Sequence, residues 1–359
     1  MTSVLIDGYA LSGGSERRGI GTYLKRIIAG LAERPDLSVT VLAERDVPLP
    51  PAANRVVCRS HAPRRFRDFE HDLVLPAKLS RRGCDVFHSP AQHPPRRSSI
   101  PWIQTLHDLT PLIWPHPLLA GERRRWEHVG PRLRRASAVA AVSSFSADQG
   151  IRHLGLDPRA ITVIPQGIDR AAFHPGEPAA GEAPYLLHVA AWGPHKGFGE
   201  ALEVISRLAE RGLPHRLMLA GPQDEWMLRQ VRAAVAASRR PDRVEVAGYV
   251  DDLAGTYRGA DALLMTSRCE GFGFPVLEAM ACGTPVVAFA NSSLPEVVGD
   301  AGMLIADGDL DAMASAVQRV LGDADVRGEL VERGLERAAR FRWEDTIEAY
   351  ALLLRSVAR

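Results

Sequence analysis

Lysine is almost absent: of 44 basic residues only three are lysines, Lys25, Lys78 and Lys196. Lys196 stands in a Gly-rich turn, and against so strong an arginine bias that placement is conspicuous. Cysteine is scarce as well. Cys58, Cys84, Cys269 and Cys282 lie far apart with no Cys-x-x-Cys pair, which argues for free thiols over disulfides or a zinc site. Net charge is nearly missing, formally +1, so no global basic field points to nucleic acid as a partner. No apolar run approaches the roughly 18–20 residues of a membrane span. Met1–Asp7 enters a strand pattern directly, without the basic region or cleavage site of a signal peptide, so a cytoplasmic location is expected.

What is present is an ordinary soluble composition, 46% hydrophobic and 24% charged, in a chain of 359 residues. That is too long for one core, and two domains are expected. Short β-branched apolar runs alternate with amphipathic helical stretches throughout, the pattern of parallel α/β sheets. The first half carries strand candidates from Val4–Asp7 to Ile161–Ile164, and the second from Tyr185–Ala190 to Met303–Ile305. Gln166–Pro184 is rich in Gly, Pro and Ala, lacks periodicity and reads as a linker. The expected division is a domain at 1–172, a second at 173–343 and a helix at 344–359 that crosses back to the first. Two doubly wound domains of this kind are expected to face each other across a cleft, where α/β sheets bind ligands.

The most informative stretch is Glu270-Gly-Phe-Gly-Phe-Pro-Val-Leu-Glu278-Ala-Met-Ala-Cys-Gly283. It reads as strand end, Gly turn and helix start, with Pro275 at the beginning of the helix and Gly283 just past its end. Unpaired N–H groups and the positive helix end would meet an anion there. Glu270 and Glu278 flank that position and suit a polyhydroxylated phosphate ester, because carboxylates accept hydrogen bonds from hydroxyls. A plain helix start, with Glu278 compensating the dipole and Glu270 solvated, fits the spacing equally well.

Two further elements bear on charge. Asp307-Gly-Asp309-Leu-Asp311 has the look of a metal-binding Asp-x-Asp, yet it directly precedes a helical stretch, where aspartates cap. Capping without metal is expected. Trp192-Gly-Pro-His195-Lys196-Gly197 follows the first strand of the second half and is the better source of positive charge for a bound anion.

The Glu270–Gly283 stretch resembles the Glu-x7-Glu signature of glycosyltransferase family 4, retaining enzymes of the GT-B fold with two Rossmann-like domains. The match continues through Gly283-Thr-Pro-Val-Val287 and Ser292-Ser-Leu-Pro-Glu-Val-Val-Gly-Asp300-Ala, which resembles the mannosyltransferase-B-like branch. The resemblance implies that Glu270 touches hydroxyls of the transferred sugar beside the anomeric carbon. It implies that Glu278 holds the ribose hydroxyls, and that backbone amides of Gly271, Phe272, Gly273 and Phe274 contact sugar and phosphate.

Trp192–Gly197 is similar to the family's Pro-Arg-Lys turn, which clamps the diphosphate. Lys196 matches, whereas His195 stands where arginine is common, and Arg268 is the candidate for the missing charge. Gly19-Ile-Gly21-Thr-Tyr23 resembles the family's Gly-Ile-Gly-x-Tyr segment, which makes Gly19 and Gly21 donor-phosphate contacts. His107-Asp108 resembles its His-Asp motif, with His107 bonding the sugar's primary hydroxyl. Tyr249, at a strand end, either stacks on the nucleobase or packs internally.

The implied reaction is metal-independent, retaining transfer of a hexosyl unit to an acceptor hydroxyl, with the nucleotide sugar as co-substrate and no other cofactor. The branch favours GDP-mannose; UDP-glucose, UDP-N-acetylglucosamine or a deoxysugar nucleotide are the alternative donors. The acceptor is a glycan, a lipid-linked or a small-molecule hydroxyl. Basic residues beside aromatics at Arg59–Arg67 and Glu122–Arg135 offer peripheral contact with an anionic inner membrane face, or are simply solvated. A GT-B nucleotide-sugar epimerase and a non-catalytic nucleotide-sugar-binding protein are the competing classes. A phosphorylase needs a deep pyridoxal-phosphate lysine, and the second half contains only Lys196.

Overall fold

The computed structural model describes residues 1–12, 19–44, 46–57, 83–91, 94–178, 183–221 and 225–358. Cys58, the basic stretch 59–67 and residues 13–18 of the first Gly-rich loop lie outside them. The chain divides into two compact units, Met1–Gly167 with Trp343–Arg359, and Ile168–Arg342.

The first unit holds a seven-stranded sheet. Its strands are β1 (Thr2–Asp7), β2 (Leu37–Ala43), β3 (Asn54–Val57), β4 (Val86–Ser89), β5 (Trp102–Leu106), β6 (Ala138–Ala141) and β7 (Ile161–Val163). They run in the order β3-β2-β1-β4-β5-β6-β7, every pairing parallel, with Val4 facing Val39 on one side and Val86 on the other. All residues of β4, β5 and β6 are buried. A parallel sheet covered on both faces explains why these strands read as continuous apolar runs without alternation. Helix α1 (Gly19–Ala32) follows β1 and buries Tyr23, Leu24, Ile27, Ile28 and Leu31, the helical-period stripe of the sequence.

The second unit holds a six-stranded parallel sheet of β8 (Tyr185–Val189), β9 (Arg216–Ala220), β10 (Val244–Gly248), β11 (Ala262–Met265), β12 (Val286–Phe289) and β13 (Met303–Ile305). The order is β10-β9-β8-β11-β12-β13. In each sheet the order reverses once, between β1 and β4 and between β8 and β11. The connections on either side of such a reversal lie next to each other at the C-terminal strand ends, leaving a crevice for ligand.

The break between the units lies at Gly167, not after residue 172 as expected. Residues 168–173 are already tied to the second unit: Ile168 N–H donates to Phe341 O at 2.9 Å, and the Phe173 ring meets Tyr257 edge-on with centroids 6.0 Å apart. The closing helix Trp343–Val357 belongs to the first unit. It buries Tyr350, Ala351 and Leu354, bonds Pro165 O through Thr346 at 2.8 Å, and pairs Glu348 with Arg34 and Arg355 with Asp36. Cys84, Cys269 and Cys282 are buried.

Candidate active site

The loops after β8 and β11 flank the reversal of the second sheet, and they carry the charged residues. After β8 the chain makes a short 3-10 turn, Pro194–Lys196, and then enters helix α2 (Phe198–Glu210) through Gly197. Gly197 has φ +67, and a Cβ there would sit 1.8 Å from Thr266 O, at the end of β11. Only glycine fits, and its absent side chain lets the two loops touch. Thr266 Oγ1 donates to Gly197 O at 2.8 Å and Arg268 N–H to His195 O at 2.8 Å, fastening the turn to the β11 loop. Beneath it, fully buried His188 donates from Nε2 to Lys196 O at 3.1 Å, and burial pulls its pKa down to about 4, so it stays neutral.

This scaffold places Lys196 Nζ 2.8 and 2.9 Å from the two carboxylate oxygens of Glu270. The side chains are 20% and 11% exposed, a pair mostly withdrawn from water. Burial pushes the Glu270 carboxyl up, but the charge and hydrogen bond of Lys196 outweigh it and hold the group below the ordinary carboxylate range. The ammonium expected at the diphosphate is thus already neutralised by the carboxylate expected at the sugar. An incoming anion has to share it.

Glu270 is held by its backbone. Its N–H donates to Ser292 Oγ at 3.0 Å, and Ser293 Oγ, fully buried, lies 2.9 Å from both Glu270 O and Phe272 O. Ser292 has φ +49, the one left-handed non-glycine among the described residues, and its hydroxyl donates onward to Asn291 Oδ1 at 2.9 Å. The Asn291–Ser293 turn after β12 is therefore the buttress of the Glu270 loop. Those serines lie in the matched stretch, but sequence reasoning gave them no role.

Helix α3 (Phe274–Ala281) begins at Gly273, whose φ of +106 only glycine adopts readily. Gly271, read with it as a turn glycine, is not left-handed. Phe272 is buried and packs edge-on to Phe274 and Phe341, so its side chain anchors the turn while only its backbone remains for a ligand. First-turn N–H groups of a helix lack intrahelical acceptors, and Pro275 removes one of them. Glu278 lies one turn in and accepts from Tyr257 O–H at 2.7 Å. Tyr257 is fully buried and arrives from the helix Leu253–Gly259. Burial, offset in part by the Tyr257 bond, raises Glu278 to about 7. No local sequence signal linked Tyr257 to Glu278; the sheet brings them together.

Arg268 is engaged elsewhere: Nε and Nη2 donate to Glu200 Oε1 at 2.8 and 2.5 Å, and Asp307 stands 4.0 Å away. Its charge is balanced within the unit. Asp309 caps helix α4 (Leu310–Gly322) by accepting from Ala312 N–H at 2.9 Å, while Asp307 accepts from Asn291 and Asp311 pairs with Arg207. Tyr249 lies just past β10 and is 57% exposed.

In the first unit, Gly19 and Gly21 form the first turn of α1, Gly19 exposed and Gly21 buried. His107, just past β5, donates from Nε2 to Pro90 O at 2.9 Å and accepts from the Gln166 amide at 3.5 Å. Burial holds its imidazole below the ordinary pKa, so it is neutral with a defined tautomer. Tyr23 meets its ring edge-on at 4.7 Å.

Residues 17–172 match Glycosyltransferase Family 4, and residues 183–323 match Glycosyl transferases group 1. The chain is 31% identical to the O-antigen chain mannosyltransferase B of Escherichia coli, over 75% of this chain and 74% of that protein. It is 29% identical to the D-inositol 3-phosphate glycosyltransferase of Geodermatophilus obscurus, over 94% and 84%. The structure of HepE from Anabaena in complex with UDP-glucose superimposes with a TM-score of 0.77 over 99% of this chain and 100% of that one, at 17% identity. Fold and sequence together define a glycosyltransferase of the GT-B type. The chain belongs to glycosyltransferase family 4.

Proposed function

We propose that this protein transfers a hexosyl unit, with retention of anomeric configuration, from a nucleotide sugar to an acceptor hydroxyl in glycan or glycosylated-metabolite synthesis. The observation that carries this reading is the convergence of Lys196 and Glu270 at the strand reversal, beside the start of α3. Lys196 and the α3 N-terminus stabilise the departing diphosphate. Glu270 orients the hydroxyls beside the anomeric carbon, Glu278 accepts from the ribose, and His107 bonds the primary hydroxyl. The bond from the anomeric carbon to the phosphate oxygen breaks as its bond to the acceptor oxygen forms on the same face. The acceptor's proton passes to the departing diphosphate oxygen. The departing charge is met in this reading by the ammonium and backbone dipoles, without metal.

GDP-mannose is the donor we favour, on the likeness to mannosyltransferase B. UDP-glucose is the second reading, favoured by the structural likeness to HepE bound to it. The site of action is cytoplasmic. Arg124, Arg134 and Arg135 are exposed in the first unit, as is Leu118, and we include peripheral contact with an anionic membrane in the proposal; Arg123 is paired with Glu127. No described helix is long and apolar enough to cross a membrane.

The test is thermal unfolding of the full chain against GDP-mannose, UDP-glucose and UDP-N-acetylglucosamine. A donor at 100 times its Kd adds about 2.7 kcal/mol to stability, a clear rise in Tm. A rise with GDP-mannose alone supports the favoured donor. A flat response to every nucleotide sugar overturns the reading.

A further inference from the structure

The first unit contains a buried polar cluster that the proposed reaction does not use. Its hub is Thr105, on β5 two residues before His107. Thr105 Oγ1 lies 2.8 Å from Tyr23 O–H, 2.9 Å from His88 Nε2 and 3.0 Å from Tyr350 O–H. A hydroxyl has one proton and two lone pairs, so three partners satisfy it completely. Tyr23, Tyr350 and His88 are fully buried, and burial drives His88 down to about 3, which leaves an uncharged network. Tyr350 is the outsider. It lies 245 residues from Thr105 and reaches the cluster on the closing helix Trp343–Val357.

A core of apolar side chains would be simpler to build, since each buried polar group must find its partners. What this cluster adds is direction. Thr105 fixes the Tyr23 hydroxyl, and the Tyr23 ring in turn meets the His107 imidazole edge-on at 4.7 Å. Tyr23 also lies in the first turns of α1, two residues after Gly21. We propose that Tyr350 is a positioning residue for His107, acting through Thr105 and Tyr23, so that the closing helix sets the geometry of the sugar-facing imidazole. The inference rests on the reading above that His107 contacts the transferred sugar.

The decisive variant is Tyr350→Phe, which keeps the ring and removes one hydroxyl. Two readouts follow it in the full chain. In long-range 1H–15N spectra the His107 ring signals, identified by their loss in His107→Gln, should shift in Tyr350→Phe and in Thr105→Val and return in Thr105→Ser. Nucleoside diphosphate release from GDP-mannose or UDP-glucose, whichever the wild type turns over, should fall about 3- to 10-fold in kcat with donor KM unchanged, as expected for the loss of one buried hydrogen bond. In the His107→Gln background Tyr350→Phe should add nothing, because the two act in one chain. Unmoved His107 signals in Tyr350→Phe, or the full kcat loss persisting in His107→Gln, would overturn the inference. If His107→Gln itself turns over normally, the reading of His107 fails, and the spectra still decide whether Tyr350 positions it.

Discussion

Around Thr105 in the first unit, Tyr23, His88 and Tyr350 share hydrogen bonds as neutral groups, and His107 beside them is neutral too. At the end of β11 in the second unit, the Glu270 carboxylate and the Lys196 ammonium face each other at 2.8 Å, mostly withdrawn from water. Both regions sit at the C-terminal ends of parallel strands beside a strand-order reversal, so topology alone does not separate them. The chemistry does. A neutral, tautomer-defined imidazole suits hydroxyls, which need direction more than charge, whereas a diphosphate that gains charge as it leaves needs a cation and aligned dipoles.

The sharpest way to break this contrast is to remove Glu270. Glu270→Ala should lower turnover by about 10³-fold, on the scale of losing a transition-state contact, while nucleotide sugar still stabilises the protein in thermal unfolding. Wild-type turnover in this variant would show that the paired carboxylate is architecture and not chemistry. Lys196→Ala should come next. It strands Glu270 in a mostly buried position, at a stability cost of about 3 kcal/mol read from denaturant midpoints, and weakens donor affinity and turnover together by about 10²-fold. A loss confined to stability would assign the lysine to the fold.

The smallest expected effect concerns Glu278 and pH. Glu278 accepts from ribose hydroxyls most strongly as the ionised carboxylate, and its pKa is raised to about 7, chiefly by burial. GDP or UDP affinity should therefore fall about tenfold between pH 8 and pH 6, read by calorimetry. Tyr257→Phe removes the bond that lowers this pKa and should move the midpoint of the profile upward. The stability linkage has the opposite sense: with the folded pKa above the unfolded one, the native state binds the extra proton. This group's contribution falls as pH rises from the ordinary carboxylate range to about 7. An affinity profile flat from pH 6 to 8 would remove Glu278 from the ribose.

Much of this was legible beforehand because it is local. Uninterrupted apolar runs gave the parallel strands, and Gly197 and Gly273 marked turns that no side chain fits. Asp309 announced a helix cap by its place before Leu310. The two loops bearing Lys196 and Glu270 were each readable, and chain order implied that both lie at strand ends. The sequence thereby determined which residue types the protein has available and in which turns they are held. Tertiary structure alone decided the pairings: Lys196 with Glu270 across 74 positions, Ser293 with the Glu270 loop, Tyr257 with Glu278, Arg268 with Glu200, and Tyr350 with Thr105 across 245. The reason is physical. Periodicity and turn chemistry are set by neighbours along the chain, whereas a charge or hydroxyl withdrawn from water takes whichever partner the packed sheet brings within hydrogen-bond reach.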